Sequence, residues 1–513
     1  MKIQTIIFAL LVFWGKSLSS QSVALYDDQK LASIYLELPA DSLNSMIATL
    51  EHNRYTPARF VFDDGQERDT VETVGLRLRG NTSLFSQKKS FKISFNEFKA
   101  GREYQGVKKL NLLGQHNDPT MVREKLFYEV WNKAGMTERR AAFVRLYINM
   151  EYRGLYTNME ELDKNWLDRV YGDDSGNLYK CTYPADLVYH GPVQQVYKDI
   201  LNNPEERAYD LKTNELADDY THLIALMAAL DQPVTANFPA QISQILNVES
   251  VLKSFAIDVA TGNWDDYFYN KNNYFLYDNP TTGRFEFTTY DTDNTLGVDW
   301  LGKDWAKRNC LAWLPSGQSR PLATKLLAVP AFKAQYVRYL DTLTRFITLP
   351  DSIFSSIDAL ETLVSTAALD DPYRSLDYGY TFADFHNGFD QTIDGHTPYG
   401  IKPFLSIRHD SIRSQIMGVL SKATAPDAGI MVFQGYPNPV IDQLFVQTTP
   451  AFFPEKMVAS IYSVTGQLVE RREWDAAETL HSWAVNNFAT GVYVLHLQSG
   501  IQEGRFVFLK AGH

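Results

Sequence analysis

Only two cysteines, Cys181 and Cys310, occur among the 513 residues. One disulfide is possible and a disulfide scaffold is not, and two unpaired buried thiols account for the pair equally well. Beyond the N-terminus no apolar run reaches the roughly 20 residues that a membrane-spanning helix needs. Net positive charge is missing as well: 49 basic residues face 61 acidic ones, a balance of −12. No chain-wide attraction to nucleic acid or anionic lipid is available, and a cationic partner is weakly favoured. The histidines are scattered without an H-E-x-x-H pattern, which with two distant cysteines excludes a zinc site of the usual spacing. No G-x-S-x-G elbow, internal repeat or low-complexity tract is present.

What is present describes a folded protein. Hydrophobic residues make up 45% and aromatics 13%, ample for a packed interior. Single cores stop growing near roughly 250 to 300 residues, so the length predicts at least two domains. The start, "MKIQTIIFALLVFWGKSLSSQS", sets a lysine before an apolar run from Ile6 to Trp14 and then small residues. This is the layout of a secretory signal peptide over residues 1–20, with cleavage near Ser20 and an exported, soluble mature chain.

Residues 22–115 alternate apolar and polar positions, as in "VGLRLRG" and "KSFKISF", and predict strands broken by one helix near Asp41–Leu50. In "NDPTMVREKLFYEVWNKAG", Asp118 can cap a helix, Pro119 suits its first turn and Gly135 stops it. Val122, Leu126, Val130, Trp131 and Ala134 share one face of that helix, with Arg123 inside the apolar arc and in need of a carboxylate or phosphate partner. "FVRLYINMEYRGLYTN" reads as a hairpin followed by the acidic "MEELD". Helices dominate from about Ala208, interrupted by a hairpin at "NNYFLYDNPTTGRFEFTTYD", and continue from Thr324 to Ser421. Residues 430–513 give short, evenly spaced strands, the pattern of a small β-sandwich.

The hairpin ends in "DTDNTLG", with Asp291 and Asp293 one residue apart, and is preceded by "NWDDYFYNKNN". Together these supply the inventory of a phosphoryl transferase: a carboxylate to orient or deprotonate a hydroxyl, then an amide and a carboxylate for Mg²⁺. Asp265 is the candidate base with Asp266 its rival, and Asn273 is preferred to Asn270 and Asn272. Each aspartate alone is better explained as a strand end or turn cap; the combination carries the signal. Upstream, Lys92 lies on the strand face opposite Phe91, Ile93 and Phe95, where a phosphate-binding lysine would sit, and Glu124 is the expected partner of its ammonium. Arg77 and Arg79 share a strand face before the Gly80-Asn81-Thr82-Ser83 turn. A calcium loop beginning at "DTDN" is excluded, because Leu296 and Gly302 stand where that loop needs Gly and Glu.

In this order the stretches "VGLRLRGNTSLFSQKKSFKISF", "GVKKLNLLGQHNDPTMVREKL", "VRLYINMEYRGLYTNMEELD", "GNWDDYFYNKNNYFLYDNPTTGRFEFTTYDTDNTLG" and "IKPFLSIRHDSIRSQI" resemble the CotH spore-coat kinases, a family of atypical secreted protein kinases, across roughly residues 30–420. The resemblance implies an α+β, atypical protein-kinase-like two-lobed fold over residues 21–425. It also implies ATP with Mg²⁺ or Mn²⁺, and transfer of the γ-phosphate to Ser or Thr of secreted or surface proteins. Carried over, Arg79 and Lys92 bind nucleotide phosphates, Glu124 pairs with the lysine, Glu160 lies near the adenosine, Asp265 is catalytic, and Asn273, Asp291 and Asp293 hold the metal. "DDYFYNKNN" is longer than the family loop, which leaves its numbering open by a residue or more, and Lys89 rivals Lys92. "YPNPVIDQLFV", "YSVTGQLV" and "TGVYVLHLQSG" make residues 430–513 resemble the type A sorting domain of the type IX secretion system, an Ig-like sandwich. That implies export through the periplasm of a Gram-negative bacterium, with the secretion machinery as partner. The competing expectation is a kinase-like surface protein that binds or scaffolds without turnover.

Overall fold

The structure is a computed structural model that describes residues 24–204, 206–393, 395–420, 433–448, 456–464, 466–475, 480–499 and 502–512. The expected signal peptide lies outside the described residues. Two compact units divide the chain, the first ending at Leu420 and the second starting at Ser421.

The first unit opens with β1 (Ala32–Glu37), α1 (Ala40–Thr49), β2 (Thr56–Asp63), β3 (Arg68–Arg79), β4 (Ser90–Ser94), β5 (Lys109–Leu113), α2 (Arg123–Lys133), β6 (Ala141–Ile148) and β7 (Glu151–Glu160). The seven strands close into a barrel in the order β1-β2-β3-β4-β5-β7-β6. Alternation drives it: Ile34, Leu36, Phe60, Leu76, Leu78, Phe91, Ile93 and Leu110 point inward and share one buried core, while their neighbours face out. The α+β class is as expected, but the strand-rich region is a closed barrel. Closure rests on parallel pairing of β6 with β1, Val144 lying opposite Ala32. Pairing between segments so distant in sequence leaves no mark on local periodicity.

Two local expectations are met with a shift. Asp118 does cap, but it caps the turn before the helix: its carboxylate accepts from the backbone and hydroxyl of Thr120 at 2.8 and 2.7 Å and from the Arg123 amide at 2.9 Å. Helix α2 therefore starts at Arg123. Arg123 is fully buried and ion-paired with Asp118, the carboxylate its apolar surroundings demand. Gly135, with φ 71°, follows the helix where a left-handed residue is needed.

Beyond α3 (Lys164–Tyr171), β8 (Leu178–Cys181), α4 (Gln194–Lys198) and the short β9 (Leu201–Asn203) and β10 (Glu206–Arg207), a four-stranded sheet runs β11 (Tyr209–Leu211), β8, β12 (Tyr274–Asn279), β13 (Arg284–Thr289). Helices α5 (Thr221–Asp231), α6 (Phe238–Ile245), α7 (Val248–Thr261) and α8 (Tyr267–Asn270) lead into that hairpin. After it come α9 (Pro321–Ala328), α10 (Pro330–Thr342), α11 (Pro350–Leu369), α12 (Phe382–Asp390) and α13 (Ile401–Leu420). Cys181 and Cys310 are free and buried here, so no disulfide contributes.

The second unit is a sandwich. One sheet is β14 (Phe433–Tyr436), β15 (Gln443–Thr448) and β18 (Leu480–Ala484); the other orders β17 (Leu468–Asp475), β16 (Lys456–Ser463), β19 (Gly491–Ser499) and β20 (Gln502–Lys510). Leu444, Val446, Ile461, Trp483, Leu495 and Phe508 fill its core.

Candidate functional site

Register on the barrel wall sets the first half of the site. Arg77 lies opposite Lys92, Lys92 opposite Asn111, and Asn111 opposite Met159. Residues directly opposite share a face, so these four form one outward row, with Arg79 and Glu161 two positions further along their chains. Lys92 Nζ meets Glu161 Oε1 at 2.6 Å, and Asn111 Nδ2 donates to Glu161 Oε2 at 2.6 Å. Burial pulls the Lys92 ammonium down to about 8, against the opposing pull of Glu161. Burial also pushes Glu161 up, but Lys92, Arg79 and Asn111 together hold it well below the usual carboxylate range.

This corrects two expectations. The partner of Lys92 is Glu161 and not Glu124. Glu160 faces away, because successive strand residues point to opposite sides; it accepts from Arg140 Nε at 2.9 Å and Arg169 Nη2 at 2.6 Å, with no free oxygen turned toward the row. Lys89, the rival lysine, donates to the Leu84 carbonyl at 2.6 Å within its own turn.

The second half comes from the loops around β12 and β13. Asp265 Oδ1 accepts from the side chains of Asn270 and Asn272, and Oδ2 accepts from Asn273 Nδ2 and Asn294 Nδ2, each at 3.2 Å. Burial pushes Asp265 up to about 6. Asp266 turns the other way and caps α8 through the Tyr269 amide at 2.8 Å. Asn273 adopts a left-handed φ of 52°, and its carbonyl accepts from Tyr290 N at 3.0 Å and Thr289 Oγ1 at 3.1 Å, which ties it to the end of β13. Asp291 follows at once, exposed and also left-handed at φ 56°, a conformation that Asn and Asp tolerate better than most residues. Asp293 Oδ2 accepts from Asn117 Nδ2 at 3.0 Å. Burial, then Asp291, Glu124 and Asp265, push the Asp293 carboxyl well above its ordinary value.

Glu124 belongs to this half. It is buried, accepts from Gln115 Nε2 at 2.7 Å, and is pushed up to about 7 by burial and then by Asp291. The charge of Arg79 reaches Glu124, Glu161 and Lys92, so it links the barrel row to the carboxylates. Sequence reasoning missed Glu161, Asn111, Gln115, Asn117 and Asn294. Only Glu161 left a signal, as the next residue in the "MEELD" run.

Carboxylates that raise one another's proton affinity, beside amide oxygens without a donor on Gln115, Asn117 and Asn294, suit a hard divalent cation. Among the described residues no three His, Cys, Asp or Glu side chains converge as a cage. Mg²⁺ does not need one, since it binds through one or two carboxylates plus phosphates.

The barrel wall thus carries a lysine–carboxylate pair, and the loops around β12 and β13 carry a cluster of amides and carboxylates. Residues 76–406 match the CotH kinase protein family; that is most of the chain, which belongs to this family. Residues 434–506 match the secretion system C-terminal sorting domain, which marks the chain for secretion or the cell surface. Inner spore coat protein H of Bacillus subtilis is 24% identical over 304 residues, 59% of this chain and 80% of that protein. Invasin CotH3 of Rhizopus delemar is 23% identical over 284 residues, 53% of this chain and 43% of that one. Invasin CotH2 of the same organism is 21% identical over 432 residues, 74% and 70% respectively. Among solved structures, the sulfur carrier protein SoxY from Chlorobium limicola f thiosulfatophilum is similar over 19% of this chain and 93% of its own, at 15% identity and a TM-score of 0.14, too low to carry an argument. No helix among the described residues is long and apolar enough to cross a membrane.

Proposed function

We propose that this chain is an exported, kinase-like phosphoryl transferase that moves the γ-phosphate of ATP to Ser or Thr hydroxyls of secreted or surface proteins. The observation that carries the reading is the junction of two halves: Lys92, Glu161 and Arg79 on the barrel wall, and Asp265 hydrogen-bonded to Asn273 beside Asp291 and Asp293. Lys92 and Arg79 offset phosphate charge, Glu161 holds the lysine in place, and Asp265, fixed by four amides, orients the acceptor hydroxyl and takes its proton. The hydroxyl oxygen then forms the new bond to phosphorus while the bridging oxygen leaves with ADP. Asn273, Asp291 and Asp293 would hold Mg²⁺ or Mn²⁺, which neutralises phosphate charge when bound. The two-lobed kinase architecture and the type IX machinery as partner of residues 430–513 belong to the same proposal.

A second reading is supported by the names of the relatives, a coat protein and two invasins: a surface protein that keeps the site without turnover. Thermal unfolding of the full chain with and without ATP and Mg²⁺ tests nucleotide binding. A ligand at about 100 times its Kd adds about 2.7 kcal/mol of stability, which Lys92→Met or Asp291→Ala should remove. A wild type that shows no shift contradicts the nucleotide site. Binding without transfer favours the second reading.

A further inference from the structure

Asp293 is held from outside its own loop. Its Oδ2 accepts from Asn117 Nδ2 at 3.0 Å, and Asn117 is buried on the turn between β5 and α2. Asn117 Oδ1 receives no hydrogen from the protein, so the aim of Nδ2 depends on how the Asn117 backbone is held. Asp118 braces the turn on one side, through Thr120 and Arg123. The other side is met by His396, which lies between α12 and α13 and is buried. Its Nε2 stands 2.7 Å from the Asn117 carbonyl oxygen. A carbonyl only accepts, so Nε2 carries the hydrogen of this bond. Tyr380 Oη, 2.9 Å from the same nitrogen, is then a second acceptor of that hydrogen.

The same residue holds the far end of the Asp293 loop. The His396 carbonyl accepts from the Asp299 amide at 2.8 Å. A closed circuit results: His396 ring to Asn117 carbonyl, Asn117 side chain to Asp293 carboxylate, chain from Asp293 to Asp299, and Asp299 amide back to His396. The imidazole is itself fixed. It stacks on the Trp300 indole with centroids 3.9 Å apart and planes 14° from parallel, and the Tyr378 ring meets it edge-on at 4.7 Å between centroids. A parallel tie runs from Asp118 through Arg123, whose Nε donates to the Leu296 carbonyl at 3.3 Å. The loop therefore has an anchor that survives a change at the histidine.

We propose that His396 is a positioning residue for the Asp293 arm of the candidate site. By closing this circuit it sets how Asn117 presents its amide to Asp293, and so where the Asp293 carboxylate stands for a divalent cation. The consequence for a cation rests on the phosphoryl-transfer reading; the circuit does not.

The test uses the full chain with two substitutions. His396→Phe keeps a ring to stack on Trp300 and removes the donor, whereas His396→Gln places an amide N–H at about the reach of the imidazole Nε2–H. Backbone hydrogen exchange over residues 115–121 and 291–299 reads the circuit, and electron paramagnetic resonance of free Mn²⁺ reads cation affinity. His396→Phe should speed exchange in both stretches by about tenfold or more and leave β3 and β4 at wild-type rates. It should also weaken Mn²⁺ binding by about tenfold, the lower end of what residues behind metal ligands contribute. His396→Gln should restore both. In an Asn117→Ala chain, where the bond to Asp293 is gone, His396→Phe should cost no further Mn²⁺ affinity. Wild-type exchange over 115–121 in His396→Phe overturns the proposal, as does acceleration that extends to β3 and β4, the mark of a general structural role. An undiminished further loss of Mn²⁺ affinity in the Asn117→Ala chain overturns the route through Asn117. If His396→Phe does not fold, wild-type exchange in His396→Gln together with weakened Mn²⁺ binding by Asn117→Ala sustains the proposal, and failure of either refutes it. A wild type that binds no Mn²⁺, with or without ATP, refutes the phosphoryl-transfer reading, and exchange still decides the circuit.

Discussion

Glu160 and Glu161 differ by one peptide unit and by everything they do. Glu160 is locked under Arg140 and Arg169, so Glu160→Ala strands two partly buried guanidiniums. It should cost about 1–3 kcal/mol of stability while leaving nucleotide-dependent stabilisation in place. Glu161→Gln should also destabilise, because it removes the carboxylate paired with the buried Lys92, but unlike Glu160→Ala it should weaken nucleotide binding; ligand-dependent thermal shifts separate the two. Lys92 adds a pH dependence. Its ammonium is held down to about 8, largely by burial, and a lysine binds phosphate only while protonated. Affinity should hold up to pH 8 and then fall by up to about tenfold per pH unit, measured by calorimetric titration of ATP. Because Glu161 raises the Lys92 value, Glu161→Gln should move that fall to lower pH. The residue types were legible in sequence, since a strand that alternates Phe91, Lys92, Ile93 announces an outward lysine. Which glutamate meets it was not, because parity past the end of β7 cannot be read without knowing where the strand stops.

At the scale of elements, most boundaries followed from periodicity and caps. The β6–β7 hairpin turns at Asn149 and Met150, both left-handed, inside the stretch "FVRLYINMEYRGLYTN" that the sequence predicts as a hairpin, and the β12–β13 hairpin leads directly into Asp291. Helix α2 begins later than its signal suggests, because Asp118 has two tasks: closing a turn with Thr120 and neutralising Arg123. Helix α7 ends where Gly262 takes φ 69°, directly before the Asp265 loop, and a Cβ there would lie 2.3 Å from Phe404 Cζ of α13. Gly262→Ala combines a left-handed penalty with overpacking and should destabilise the first unit by about 2–4 kcal/mol, as read from the denaturant midpoint. A cost under about 0.5 kcal/mol, the ordinary range for an inconsequential surface change, would show that Phe404 yields freely and that this joint is not rigid.

For the molecule as a whole, composition and the late change in strand spacing pointed to more than one domain, and the chain divides at Leu420. Barrel closure was hidden, since pairing β1 with β6 joins distant segments that each look like ordinary amphipathic strands. The candidate cluster was legible as an inventory, because Asp265, Asn273, Asp291 and Asp293 stand out in the sequence and the fold brings them together, while the charge of Arg79 reaches both Glu124 and Lys92. The amides that hold the cluster, from Asn117 and Asn294, were hidden, because a lone asparagine in a loop is first of all a turn former. What remains is whether the assembled site transfers phosphate. The most direct measurement is transfer of label from γ-labelled ATP, with Mg²⁺ or Mn²⁺, by the full chain to a Ser-rich protein, followed by acid hydrolysis to identify the labelled amino acid. The account predicts phosphoserine or phosphothreonine from wild type and a loss of at least about 100-fold in rate for Asp265→Asn, the scale of a general base. Equal labelling by wild type and Asp265→Asn, or by wild type and Asp291→Ala, would contradict it.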